Sequence, residues 1–312
     1  MPTTSGTDPT VNAVRPAAQV RGLGAAIVAW GTADGASSRR PGLPWRVTRD
    51  PWAVLVAEVI LQQTQVSRAV PAYHRFLDRF PTPAACADAP LGDVLRAWEG
   101  LGYNRRARGL HGAAAAVVER HGGEVPAGLE DLLALPGVGP YTARAVLAFA
   151  FEADVGVVDT NAGRVLSRAV AGRPLKAAEA QCLVDDMVPL RSGWAFNQAL
   201  LDLGATICVS GVPRCGTCPV RRRCRWAVAG RPSPDPAHTS AGVSAPQPAF
   251  EGSDRQGRGR LIDALRRGRL GPGEVAIAMG WADQPERVAR VAEGLVAEGL
   301  VVRDRSGVLA LP

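Results

Sequence analysis

Four cysteines crowd one short stretch of the chain: Cys208, Cys215, Cys218 and Cys224, spaced C-x6-C-x2-C-x5-C. Thiolates this close fold the backbone around one soft metal centre, and the run suits a single 4Fe-4S cubane. Structural zinc is the rival. It usually shows two C-x2-C knuckles, and only Cys215 and Cys218 form such a pair. The spacing also differs from ferredoxin runs, so electron transfer is not the default reading. Cys86 and Cys182 stand alone in apolar helical surroundings and read as inert core thiols. Six cysteines in 312 residues do not make a disulfide scaffold, and a reducing cytoplasm suits thiolate ligands best.

A net charge of +7 points to a polyanionic partner, nucleic acid first. Of the 36 basic residues only Lys176 is a lysine. Arginine grips phosphate through a planar fork of donors; codon bias is the bland alternative. No stretch reaches the roughly 18 apolar residues of a membrane span. Residues 1–19 read as a polar tail without a signal-peptide pattern, and Gly22 to Trp30 as an amphipathic first helix.

Helical patterns dominate the next two hundred or so residues, so the fold class is mainly α. Asp50-Pro51 caps a helix running to Ile60. Further helices are expected near 66–80, 91–99, 106–120, 128–134, 141–151, 162–171, 177–188 and 194–204. Residues 20–227 form the body. Residues 228–259, rich in Pro, Ser and Gly, read as a linker. Residues 260–312 read as three helices and a strand pair, a small winged-helix-like unit. Such a unit either binds DNA or packs on the body.

Leu135-Pro136-Gly137-Val138-Gly139-Pro140-Tyr141 lies between two helical stretches. Its two glycines allow a tight turn whose bare N–H groups, followed by a helix start, make a phosphate seat. The pattern matches a helix–hairpin–helix, which holds a DNA backbone without reading sequence; an ordinary interhelical turn is the alternative. Val157-Val158-Asp159-Thr160-Asn161 delivers Asp159 to a helix start, where the dipole and free N–H groups favour its ionised form. A plain N-cap would look the same. Glu58 sits on a helix apolar on most sides, where burial would keep it protonated. One raised and one lowered carboxyl is the pattern of an acid paired with an anion. Gln62-Gln63-Thr64-Gln65 places amides in a row on a buried helix, costly unless they meet polar partners such as base edges. Surface amides at a helix end are the alternative.

Together these residues resemble adenine DNA glycosylases of the MutY type, within the helix–hairpin–helix glycosylase superfamily. The likeness spans about residues 20–227. It rests on Leu43-Pro44-Trp45-Arg46, the run from Glu58 to Val66, Gly100-Leu101-Gly102-Tyr103, the hairpin, Val158-Asp159-Thr160-Asn161 and the four cysteines. The resemblance implies two helical subdomains, one structural 4Fe-4S cluster, and a monomer acting on double-stranded DNA in the cytoplasm. It implies removal of adenine mispaired with 8-oxoguanine or guanine, the adenine being flipped into a pocket. Glu58 would protonate the base and later activate water. Asp159 would stabilise the cationic sugar, and Tyr141 and Asn161 would support this chemistry. Trp45, Arg46 and Leu61 would shape the pocket. Gln63, beside Gln62 and Tyr103, would enter the gap in the duplex, and Gly137, Val138 and Gly139 would hold the backbone. Relatives that also cut the strand use a lysine where this chain has Tyr141, which implies a monofunctional enzyme. Two departures stand out. Asn104 occupies the place of a second wedging tyrosine, and the last fifty or so residues differ from the Nudix-like domain of typical members. A thymine or uracil glycosylase, and a non-catalytic iron–sulfur DNA-binding protein, are the alternative readings.

Overall fold

The computed structural model describes residues 17–33, 40, 42–240 and 248–312, and these fall into two compact units. Most of the expected tail and part of the expected linker lie outside the described residues. Of the described residues, one unit comprises 17–33, 40, 42–43 and 147–240; the other comprises 44–146 and 248–312.

The first unit is built on α1 (Ala17–Gly31), α9 (Thr160–Val165), α10 (Ala177–Met187) and α11 (Gly193–Thr206). A π-helical turn, Leu166–Ala171, continues α9. Leu23, Ile27, Leu166, Phe196 and Leu200 form the fully buried centre of its core. α1 meets α10 and α11 closely: a Cβ on Gly24 would fall 1.9 Å from the Met187 carbonyl oxygen. The short α12 (Arg225–Val228) follows the cysteine loop. The segment expected to be a linker is in part a packed loop. Trp226 Nε1 donates to Pro232 O at 2.9 Å, Arg168 Nε donates to Asp235 Oδ1 at 3.0 Å, and the Leu175 N–H donates to Ser240 Oγ at 3.0 Å. Composition cannot separate a free linker from a loop stitched down by its few polar side chains. Cys182 is another correction. It is exposed on α10, while Cys86 is buried as expected.

The second unit opens with α2 (Pro51–Leu61) and α3 (Val66–Arg79). Asp50 Oδ1 accepts the N–H groups of Trp52 at 2.8 Å and Ala53 at 3.3 Å, which starts α2 where the Asp-Pro pair predicts. Every residue from Trp52 to Ile60 is buried. α4 (Pro83–Ala87), not expected from the sequence, packs on α6 (Arg105–His121); α5 (Leu91–Ala97) lies between them in the chain. Its signal is Thr82, whose Oγ1 accepts the Ala85 N–H at 3.1 Å, followed by a proline. α7 (Leu129–Leu133) and α8 (Pro140–Phe149) flank the hairpin, and the unit boundary falls within α8.

The same unit holds α13 (Asp254–Arg267), α14 (Pro272–Met279), α15 (Pro285–Ala297) and a hairpin of β1 (Val302–Arg303) and β2 (Leu309–Ala310). The strands are antiparallel, pairing Val302 with Ala310 and Arg303 with Leu309, and Leu270 bridges to Leu309. This C-terminal stretch is seated on α5 and α6. Arg266 Nε donates to Leu95 O at 2.9 Å, the Gly92 N–H donates to Pro312 O at 2.7 Å, and Arg105 Nε donates to Glu298 Oε2 at 2.7 Å. Among the described residues no helix is long and apolar enough to cross a membrane.

Candidate active site

Glu58 lies two-thirds along α2 and is 5% exposed. An apolar helix can hold a carboxyl there only if it finds a donor. Tyr141, in the first turn of α8, supplies it: its hydroxyl donates to Glu58 Oε2 at 2.9 Å. The next residue, Thr142, is buried and accepts a hydrogen bond from Gln62 Nε2 at 3.2 Å. The start of α8 therefore reaches both the middle and the end of α2. Trp45 and Arg46, in a buried 3-10 turn, pack beside α2, and the Trp45 ring meets Tyr73 edge-on at 5.6 Å.

Asp159 is the N-cap of α9 in the other unit, as expected. Its Oδ1 accepts the N–H groups of Asn161 at 2.8 Å and Ala162 at 2.7 Å, and its Oδ2 accepts Asn161 Nδ2 at 2.6 Å. Asn161 in turn accepts from Arg164 Nη2 at 2.8 Å. The electrostatic outcome differs from the expectation. Burial raises the Asp159 pKa, and the three donors and Arg164 only partly offset it, so the net shift is upward. Sequence shows the helix start but not the depth at which it is buried.

The glutamines are also placed differently. α2 ends at Leu61, so Gln62, Gln63 and Thr64 form the turn into α3 and Gln65 is its N-cap. Gln63 is exposed at the tip with φ 55°, a left-handed conformation uncommon for a side chain of this size. Tyr103 at the end of Gly100-Leu101-Gly102-Tyr103 has φ 46° and is 44% exposed. Arg106 ties the two turns together. Its guanidinium donates to the carbonyl oxygens of Val59 and Ile60, each at 2.9 Å, and to that of Leu101 at 3.0 Å. It also reaches Gln62 O and Gly102 O, and lies over the Trp98 and Tyr103 rings. Burial pulls its pKa down to about 10, which leaves it charged at neutral pH. Sequence reasoning missed Arg106, because nothing distinguishes it among the many arginines until the turns are brought together.

In the hairpin, only Gly137 needs glycine's freedom, with φ 76°. Its Cα side also lies against Gly109, whose Cα would be 3.1 Å from an added Cβ. Val138 is buried and anchors the turn. Gly139 has no positive φ, so the expectation of two special glycines reduces to one.

Cys208, Cys215, Cys218 and Cys224 line one cavity, closed by Val165, Ala169, Leu203, Ile207, Val220 and Trp226. Donors face sulfur: Arg168 Nη1 lies 3.4 Å from Cys208 Sγ, the Ala227 N–H lies 3.4 Å from Cys224 Sγ, and the backbone N–H of Val220 donates to Cys218. Burial raises the Cys208 and Cys224 thiol pKa values and pushes Cys218 up to about 11. Among the described residues no three His, Cys, Asp or Glu side chains are grouped as a single ion would need. Arg221 to Arg223 form an exposed 3-10 turn between the last two cysteines. Lys176 is exposed at the N-cap of α10.

Comparison with known proteins gives the family. Residues 56–182 match the model of the HhH-GPD superfamily of base excision DNA repair proteins. The chain is 42% identical to an adenine DNA glycosylase of Mycobacterium tuberculosis over 276 residues, covering 86% of this chain and 88% of that protein. It is 40% identical to one of Mycolicibacterium smegmatis, covering 87% and 92%. The solved structure of a thermostable thymine-DNA glycosylase superimposes with a TM-score of 0.63 at 28% identity, over 68% of this chain and 98% of that one. With identity above 40% along most of both chains, this protein belongs to the adenine DNA glycosylase family.

Proposed function

We propose that this chain is a monofunctional glycosylase that hydrolyses the N-glycosidic bond of adenine opposite 8-oxoguanine or guanine in double-stranded DNA. The observation that carries the reading is the hydrogen bond from Tyr141 to the buried Glu58. It fixes the orientation of a carboxyl buried on an apolar helix. In this reading Glu58 gives a proton to the flipped adenine, which leaves as a neutral base, and then takes a proton from the attacking water. Asp159, ionised, stabilises the cationic sugar, and Asn161 fixes its second oxygen. Trp45, Arg46 and Leu61 wall the pocket, and Gly137, Val138 and Gly139 seat the phosphate backbone. With Tyr141 where strand-cutting relatives carry lysine, and the one lysine, Lys176, outside the hairpin sequence, no Schiff base forms on the hairpin.

The donor chemistry of the four-cysteine cavity fits one 4Fe-4S cluster, held by Cys208, Cys215, Cys218 and Cys224. When bound, it would brace the loop that presents Arg221 to Arg223. Purified protein should contain iron and acid-labile sulfide in equal amounts; stoichiometric zinc instead would overturn the cofactor. Residues 260–312 we read as a winged helix, and the enzyme as a cytoplasmic monomer that works on the chromosome.

Single-turnover excision on four duplexes tests the function: adenine opposite 8-oxoguanine, adenine opposite guanine, thymine opposite guanine and uracil opposite guanine. Adenine should be released from the first two, with strand scission only after alkali. Glu58→Gln should slow release by about 10²–10⁴-fold with duplex affinity retained. Release of thymine or uracil with adenine untouched would move the chain to the pyrimidine reading.

A further inference from the structure

A cleft of about 780 Å³ opens within the second unit, between α13 on one side and the Gln62-Gln63 and Gly100–Tyr103 turns on the other. Six arginines line it: Arg68, Arg105, Arg106, Arg255, Arg258 and Arg266. Asp263 is the one acidic residue among its lining residues, and Glu298 sits just behind, shared by Arg105 and Arg258. The surplus of guanidinium is strong even after both carboxylates are counted. Leu101, Leu295 and Leu300 add an apolar floor, and the exposed Tyr103 ring forms part of the rim. Charge for phosphate, an aromatic face for a base and an apolar floor are the ingredients of a single-strand groove.

Two further observations point the same way. Gln63 and Tyr103, which face each other's turns across Arg106, are both held at positive φ. Backbone strain of this kind costs about 1–3 kcal/mol per residue and gathers at ligand sites. Across the cleft, Arg255 Nη1 donates to the Tyr103 hydroxyl at 3.2 Å. A residue of the C-terminal stretch thus sets the position of an aromatic ring on the catalytic half of the unit. The cleft also begins at the C-terminal end of α2, about one helical turn (~5 Å) beyond Glu58.

We propose that this cleft seats one DNA strand, with α13 of the C-terminal unit supplying its phosphate-facing wall through Arg255 and Arg258. The C-terminal unit is then a working part of the DNA-binding surface and not only a packed appendage. The proposal takes from the adenine glycosylase reading only that the polyanion is DNA. Arg105 is the more open of the two guanidinium groups on Glu298, its side chain 72% exposed against 27% for Arg258. Arg258 is thus the guanidinium held within the cleft wall, with Glu298 as the carboxylate an entering phosphate competes with.

Fluorescence anisotropy on the full chain tests this, with one labelled duplex carrying an adenine–guanine mispair and one fully matched, each titrated across salt. Arg255→Ala with Arg258→Ala should raise Kd about tenfold or more and flatten the log K against log salt slope by about 2. The corresponding double lysine variant should keep most of the slope. Glu298→Gln removes a competing carboxylate, so it should bind at least as tightly as the parent. An unchanged slope in the double alanine variant overturns the proposal. So does a loss in Glu298→Gln as large as that in the double alanine variant, since the effect would then be undocking of the C-terminal unit. The readout is binding, so a parent enzyme that fails to release adenine sinks the function while leaving the cleft to be judged on its own slope.

Discussion

Asp159 carries a tension that its surroundings only partly resolve. Burial raises its pKa above the ordinary aspartate range, while Asn161, Ala162 and Arg164 pull it back. A carboxyl with a raised folded pKa favours the protonated form. It therefore costs the fold stability as pH rises from the ordinary aspartate pKa through the shifted one. Two consequences follow from this one sign. Excision that needs the ionised form should fall off on the acid side at a higher pH than a free aspartate would give, read from a pH profile of single-turnover rates. Asp159→Asn should lose excision yet melt no lower than the parent at neutral pH, the usual exchange of activity for stability at a strained site. A Tm for Asp159→Asn well below the parent throughout that range would mean that the carboxylate is a net stabiliser. Sequence made the capping role of Asp159 legible, because a polar residue after an apolar run and before a helix has few other uses. α9 packs against α11, far along the chain, and no local pattern reports that.

The helices themselves were largely legible, and for local reasons. Asp50 with Pro51 marks the start of α2, and alternating apolar faces mark α3, α6, α10 and α11. α4 is too short to show a period, although Thr82 and Pro83 carry its cap. The sequence places Gln62 to Gln65 on a buried helix or at a helix end; the chain turns there, with Arg106 holding the carbonyl oxygens of Val59, Ile60 and Gln62. Arg106 is in this sense a buried strut between two loops. Arg106→Met would leave those carbonyl oxygens without donors. It should cost about 3–5 kcal/mol, the scale of removing one side of a buried charged network, and weaken mispair binding more than binding to matched DNA. Chemical denaturation with duplex titration checks both. A loss under about 1 kcal/mol would mean that water replaces the guanidinium.

On the scale of the whole molecule, each unit has its own core, and the cysteine cavity belongs to one of them. Loss of a ligand thiol should therefore act unevenly. Cys218→Ser is expected to speed amide hydrogen exchange in the π-helical turn and in residues 225–240, which meet the cavity through Arg168 and Trp226, while α2 and α6 keep their protection. Equal loosening of both units would show instead that the cysteine loop supports the entire chain. The arginine excess has a complementary consequence at Lys176. Apart from the chain's own α-amine, this exposed side chain at the start of α10 is the sole primary amine of the protein. Amine-selective chemistry at alkaline pH would place a single dye or tether at one known position, on a residue that does not line the basic cleft. A composition with one lysine among its basic residues thus leaves the protein with a ready-made handle for single-site labelling.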